Sequence, residues 1–242
     1  MSPVCAIIGA GEGLGCALAR KFSSEGMDIA LISRSEAGSA DAKAAALSAR
    51  TSAKVQYYSA DATVPVTIEN ALAAAAEDFG DIDVLIYNVR DAFTVIDPLD
   101  MSYEALEGTF KLEVVGAFAA AKAVLPAMRK RGQGSIFFSS STAAFRGSGK
   151  LPLYAIGKFG LRGLSQGLTR AYSKDGVHIV HVRLDCDLDV PVMHERYGDN
   201  YDPAKLAQPA DVAQSYWHTH LQPRSAWSNE IELRPYSETW TF

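Results

Sequence analysis

Cysteine is scarce. The 242 residues hold three, Cys5, Cys16 and Cys186, an odd number with no Cys-x-x-Cys. That excludes a disulfide-stapled scaffold, argues against a zinc site, and fits a reducing compartment. Long apolar runs are missing too. One of the longest, Val114 to Ala121, is stopped by Glu113 and Lys122, far short of the roughly 18–20 residues of a membrane span. There is no excess of positive charge: 23 Lys+Arg against 28 Asp+Glu give a net charge of −5. A general binder of nucleic acid or of an anionic membrane needs the opposite balance. Neither a basic leader nor a C-terminal sorting signal is legible, so the expected location is the cytoplasm. The five histidines (His178, His181, His194, His218, His220) form no ligand spacing with nearby acids, and structural roles are expected for them.

What is present reads as an ordinary globular chain, 48% apolar and 21% charged. Its length predicts roughly 70% or more of the unfolded surface buried and a single domain spanning 1–242. Strand candidates are Val4–Ile8, Asp28–Ile32, Lys54–Ser59, Val84–Tyr87, Ser135–Ser139, Val177–Leu184 and Glu230–Leu233. Most are continuous apolar runs, the signature of strands covered on both faces. Between them lie helix-like stretches: Leu14–Ser24, Ala40–Ala49, Pro65–Phe79, Tyr103–Arg131, Leu153–Lys174 and Ala210–Leu221. Gly26, Gly80, Gly132 and Gly176 punctuate their C-terminal ends. This alternation predicts an α/β, doubly wound, mostly parallel seven-stranded sheet with helices on both faces.

Chemistry concentrates at strand ends. Gly9-Ala10-Gly11-Glu12-Gly13-Leu14-Gly15 follows the first strand and opens a helix, as a dinucleotide pyrophosphate requires: a tight turn, close backbone approach and a helix N-terminus. A merely tight turn is the bland alternative. An acid that binds a ribose diol is expected about 20 residues on; the sequence instead reads Ser33-Arg34. A guanidinium there suits a 2′-phosphate and favours NADP(H) over NAD(H), unless Arg34 is a solvated surface charge. Two acids oppose this: Glu12, in the turn, repels a 2′-phosphate if it points that way, and Glu36 competes for Arg34. Tyr154 and Lys158 share one helix face. An ammonium beside a phenol favours the phenolate, so Tyr154 can serve as general acid or base. Ser141, at a strand end, can donate to the same oxygen.

With Asp61-Ala62, Ile86-Tyr87-Asn88-Val89 and Ser139-Ser140-Ser141, followed by Tyr154-Ala155-Ile156-Gly157-Lys158, the chain resembles the short-chain dehydrogenase/reductase family. It resembles the compact, Rossmann-type, single-domain form, as a divergent subgroup. The resemblance implies that Lys158 bonds the nicotinamide ribose, that Asp61 and the Ala62 backbone hold the adenine, and that Asn88 lines the cofactor cleft. Asp61 as a helix cap and Asn88 as a plain strand-end residue are the alternatives. The resemblance also implies a homodimer or homotetramer built on the helices Tyr103–Arg131 and Leu153–Lys174. The sequence departs from the family at several places. Val89-Arg90 adds bulk where Ala-Gly is usual. Glu113 replaces a helix Asn, and reads either as a proton-relay member or as a helix-face or interface charge. Val190 cannot supply a hydroxyl to the nicotinamide amide, though the Leu188 backbone can still reach it. The final strand lacks the glycines often seen before the C-terminus, and Trp227 and Trp240, which lie nearby, read as subunit-contact or core aromatics. Cys186 reads as a loop or packing cysteine.

These readings lead to an NADP(H)-dependent oxidoreductase of carbonyl-reductase type, with Ser141, Tyr154, Lys158 and Glu113 at its catalytic centre and a substrate lid around 190–208. Its substrate is a small ketone, aldehyde or secondary alcohol, and no nucleic acid, membrane or metal is involved. The alternatives are an NADP(H)-holding protein with little turnover and another reaction on the same fold.

Overall fold

A computed structural model describes residues 2–48 and 52–238. Seven strands, β1 (Val4–Ile8), β2 (Asp28–Ser33), β3 (Val55–Ser59), β4 (Ile82–Tyr87), β5 (Gly134–Ser141), β6 (Val177–Leu184) and β7 (Glu230–Leu233), form one sheet in the order 3-2-1-4-5-6-7. Every pairing is parallel. Such a sheet needs both faces covered, and the strand sequences provide for it: all five residues of β1 are buried. Val4, Ala6 and Ile8 pack on one side with residues from α3 (Pro65–Phe79), α5 (Gly116–Arg131) and α6 (Pro152–Tyr172). Cys5 and Ile7 pack on the other with α1 (Leu14–Ser24), α2 (Ala40–Leu47) and α8 (Pro209–His220).

Strands lie within a few residues of their expected bounds. The helices differ more. The single helix expected over Tyr103–Arg131 is α4 (Tyr103–Phe110), a π-helical turn at Lys111–Val115, and then α5. One wide turn inserts a residue into the helical register without ending the helix, which a period-3.6 pattern does not resolve. The stretch after β6, expected as a substrate lid, contains α7 (Pro191–Tyr197), with Pro191 at its first position. Ala49, the expected end of the second helix, and Trp240 lie outside the described residues.

The order 3-2-1-4 reverses direction between β1 and β4. At that switch point the loops leaving the two strands diverge and open a crevice beyond their C-terminal ends. All the strand-end motifs of the sequence emerge on this edge.

Candidate active site

The glycine turn occupies the gap between the ends of β1 and β4. Gly9 has φ +84°, and a Cβ there would lie 2.7 Å from the Asn88 carbonyl oxygen. The Asn88 side-chain amide donates to the Gly9 carbonyl at 3.2 Å, fastening the two strand ends together. Gly15 sits in the first turn of α1, where a Cβ would stand 2.9 Å from Ala10 Cα and the Gly9 carbonyl; its bareness lets α1 pack onto the turn. Gly11 is different. A Cβ there would meet nothing nearer than the Gly38 carbonyl at 3.7 Å, so no contact within the protein demands glycine. No side chain caps the N-terminus of α1, which begins at the buried Leu14.

A cleft of about 770 Å³ runs from this turn to the start of α6. Gly9, Glu12, Gly13 and Leu14 line one end; Ser141, Tyr154 and Lys158 line the other, with Asn88, Val89 and Leu188 between them. Tyr154 and Lys158 sit one turn apart on α6, both buried. The ammonium lies 5.5 Å from the Tyr154 ring centroid, and the ring packs against Phe93 at 4.7 Å. Ser141 ends β5, where its Oγ accepts the Ala143 amide at 3.2 Å. The neighbouring Ser140 hydroxyl is buried on the cleft wall without a hydrogen-bond partner.

Lys158 donates to Glu113 at 2.8 Å, an ion pair that is 2% and 0% exposed at its two side chains. It also faces the carbonyls of Val89 and Ser139 at 3.5 Å. The π-helical turn is where Glu113 sits. The other Glu113 oxygen accepts the Asp91 amide at 2.8 Å, and Asp91 in turn takes the Thr109 hydroxyl. Gly157 makes room for this carboxylate: a Cβ would stand 2.8 Å from Glu113 Cγ. Glu113 therefore faces Lys158, not solvent. The Tyr87 hydroxyl donates to the Leu112 carbonyl inside the same turn, and burial raises its pKa strongly.

Ser33, Arg34, Asp61 and Ala62 lie beyond the cleft walls, at the ends of β2 and β3. Arg34 is exposed, and Glu36 pairs with Lys43 at 3.4 Å. Ser33 Oγ donates to the Ser35 carbonyl at 2.9 Å. Asp61 accepts both the amide and the hydroxyl of Thr63, which hold its carboxyl below the usual range, with a smaller contribution from Arg34. The cap of α3 is Val64, not Asp61. Ala62 is buried, its carbonyl 2.3 Å from where a Cβ on Gly116 would be.

After β6, Asp189 gathers His194 Nε2 at 2.5 Å, Gln208 Nε2 at 2.8 Å and the Tyr201 hydroxyl at 2.9 Å. Asp187 takes the Tyr197 hydroxyl at 2.7 Å. Val190 packs on the glycine turn, its Cγ1 2.7 Å from a Cβ at Gly13. Burial, then Asp187 and Asp185, push the Cys186 thiol up to about 12, the opposite of an activated nucleophile. His178 stacks on Trp227 at 4.6 Å, within one chain. Among the described residues no group of three His, Cys, Asp or Glu side chains can hold a metal ion, and no helix is long and apolar enough to cross a membrane.

Sequence reasoning missed Phe93, Asp91 and Thr109. They lie in an irregular loop and on α4, where neither periodicity nor motif marks them. The Gly157 requirement was open to reading only as the residue before Lys158.

Residues 3–186 match the model of the family described as short chain dehydrogenase. A 3-dehydrosphinganine reductase of Arabidopsis thaliana is 35% identical over 176 residues, covering 72% of this chain and 52% of that protein. The chain thus spans about half the length of that relative. A levodione reductase of Leifsonia aquatica is 29% identical over 73% of this chain and 66% of its own. Among solved structures, a short-chain dehydrogenase from Rhodopseudomonas palustris superposes with a TM-score of 0.82 at 28% identity, covering 97% of this chain and 99% of that one. The glycine turn, the parallel sheet and the Tyr154–Lys158 helix thus have a family to account for them: the chain belongs to the short-chain dehydrogenases.

Proposed function

We propose that the protein is an NADP(H)-dependent oxidoreductase that interconverts a ketone or aldehyde and the corresponding alcohol, with Tyr154 as general acid and base. One observation carries this reading: Ser141, Tyr154 and Lys158 converge on a cleft whose far end is the glycine turn. The residues present fit a dinucleotide. Among the described residues, a Cβ at Gly11 would meet only the Gly38 carbonyl, at 3.7 Å; α1 offers an uncapped N-terminus, and Ser140, which lines the cleft, has a buried hydroxyl without a hydrogen-bond partner. Gly9 to Gly15 would hold the pyrophosphate, Asp61 and Ala62 the adenine end, Lys158 the nicotinamide ribose, and Asn88, Val89 and the Leu188 backbone the nicotinamide side. Ser33 and Arg34 would take a 2′-phosphate, which is the ground for NADP(H) over NAD(H). The bound nicotinamide supplies or accepts the hydride.

The chain's own groups do the rest. Ser141 Oγ already accepts the Ala143 amide, which leaves its hydroxyl hydrogen to point at a carbonyl oxygen. Tyr154 delivers a proton to that oxygen in reduction and removes it in oxidation. Lys158 fixes positive charge beneath the phenol, and Glu113 holds Lys158 in place as a positioning residue in contact with the Asp91 backbone. The 190–208 segment, containing α7, acts as the lid that excludes water. Exposed aromatics on α4 to α6, among them Tyr103, Phe118 and Phe159, are the surface for a homodimer or homotetramer, and a cytoplasmic setting fits the free cysteines.

The same Lys158–Glu113 pair favours a second reading, an NADP(H)-holding protein with little turnover, because it engages the lysine charge. Substitution separates the two. Tyr154→Phe is expected to keep NADPH affinity and lose carbonyl-dependent NADPH oxidation by about 10²–10⁴-fold. An unaltered rate in this variant rules Tyr154 out as the proton donor. A native protein that binds NADPH yet turns over nothing in a broad carbonyl panel favours the holding role.

A further inference from the structure

Among the described residues lining the cleft, one cation is left idle by this mechanism. Arg90 follows Val89 in the loop leaving β4 and lines the cleft with an exposed side chain. Its guanidinium carbon lies 4.8 Å over the centroid of Phe93, and Phe93 packs on Tyr154 at 4.7 Å. One ring therefore separates Arg90 from the general acid. A guanidinium resting on a ring spends its face and keeps its N–H edges free.

The other charges around it are mostly engaged. Lys158 is held by Glu113. Asp185 takes Arg234 and the Thr142 hydroxyl, and Asp187 takes Tyr197. Glu12 and Glu238 also line the cleft, but among the described residues no carboxylate forms an ion pair with Arg90. Apolar side chains line the cleft as well, Leu151 before α6 and Val192 and Met193 on α7.

We propose that Arg90 selects substrates in which the reacting carbonyl is joined to an oxyanion, a carboxylate or a phosphate ester. The carbonyl sits at Tyr154, the body of the substrate crosses Phe93, and the oxyanion takes the free fork of Arg90. Phosphate and carboxylate both match that fork in charge and geometry. The proposal rests on the reductase reading above and names its substrate class.

The test measures binding in a complex that does not turn over, the NADP⁺-loaded protein with a ketone. Calorimetry compares 4-oxopentanoate with its methyl ester, and dihydroxyacetone phosphate with dihydroxyacetone. At least one anion is expected to bind about 10- to 100-fold more tightly than its neutral partner, the range of a charge-assisted hydrogen-bonded pair. Arg90→Gln is expected to bring that ratio to about 1, and Arg90→Lys to restore only part of it. In both variants NADP⁺ is expected to bind within about threefold of the native protein. Equal affinity for anion and neutral partner in the native protein overturns the proposal. So does a ratio that survives in Arg90→Gln, or a loss of NADP⁺ affinity in that variant, which would assign Arg90 to the cofactor. If the native protein does not bind NADP⁺, the reductase reading fails first and the proposal falls with it.

Discussion

Glu113 carries a carboxylate to a position with no exposure, and Lys158 brings an ammonium to meet it at 2.8 Å. Neither charge is affordable alone. Removing one partner of a buried pair leaves the other uncompensated, at a cost of about 3–5 kcal/mol. Glu113→Gln is therefore expected to lower unfolding free energy by about that amount in urea titrations, although it differs by little in volume. A loss below about 1 kcal/mol would mean that water or the Val89 and Ser139 carbonyls already satisfy Lys158. The pairing was open to reading only through the family resemblance, which puts the residue at Glu113 within reach of the lysine, and not from spacing. Glu113 and Lys158 are 45 positions apart, on two helices whose approach depends on Gly157 having no side chain.

At the scale of elements, the glycine turn divides into glycines that the fold needs and one that it does not. Gly9 and Gly15 face backbone atoms within 3 Å of any added Cβ, whereas at Gly11 it would meet only the Gly38 carbonyl, at an ordinary 3.7 Å. Gly11→Ala is expected to change stability by no more than about 0.5 kcal/mol while weakening NADPH binding at least tenfold, since the methyl would occupy the approach to the pyrophosphate. Thermal unfolding and a fluorescence titration on the same sample separate the two effects. Retained NADPH affinity would remove the turn from the cofactor site. Strand–helix alternation made most of this scaffold legible, because buried parallel strands such as Val4–Ile8 are almost wholly apolar. It failed at the π-helical turn Lys111–Val115. One extra residue per turn shifts the apolar stripe by an amount that the flanking Ala-rich sequence hides. It failed again at α7, too short for a periodic signal. Ser141, Tyr154 and Lys158 were legible as a motif and Arg90 as added bulk beside the cofactor, but Phe93 was not, because a loop side chain has no period to betray where it packs.

The whole molecule keeps several histidines neutral inside it. His181 is 1% exposed, with neither ring nitrogen partnered. Burial is the main cause of a pKa near 4, with Arg162, Lys158 and Arg183 lowering it further and Glu230 opposing. Burial also lowers His178 and His220. The unfolded chain protonates these rings near pH 6.5, while folded His181 resists down to about 4. Between those values the unfolded state binds more protons, so stability is complete above about 6.5 and falls on acidification. Each proton contributes about 1.4 kcal/mol per pH unit. Urea midpoints measured from pH 7.5 to 5 are expected to fall, and His181→Leu is expected to flatten the slope by about one proton. A midpoint independent of pH over that range would mean that the rings titrate alike folded and unfolded.

The measurement that tests the central claim most directly is a titration of the purified protein with NADPH and with NADH, followed by nucleotide fluorescence. The account predicts saturable binding of both, tighter for NADPH, with the preference lost in Arg34→Asp. If neither nucleotide binds, Val89, Arg90 and Val190 close the cleft to a dinucleotide, and the function proposed here is wrong.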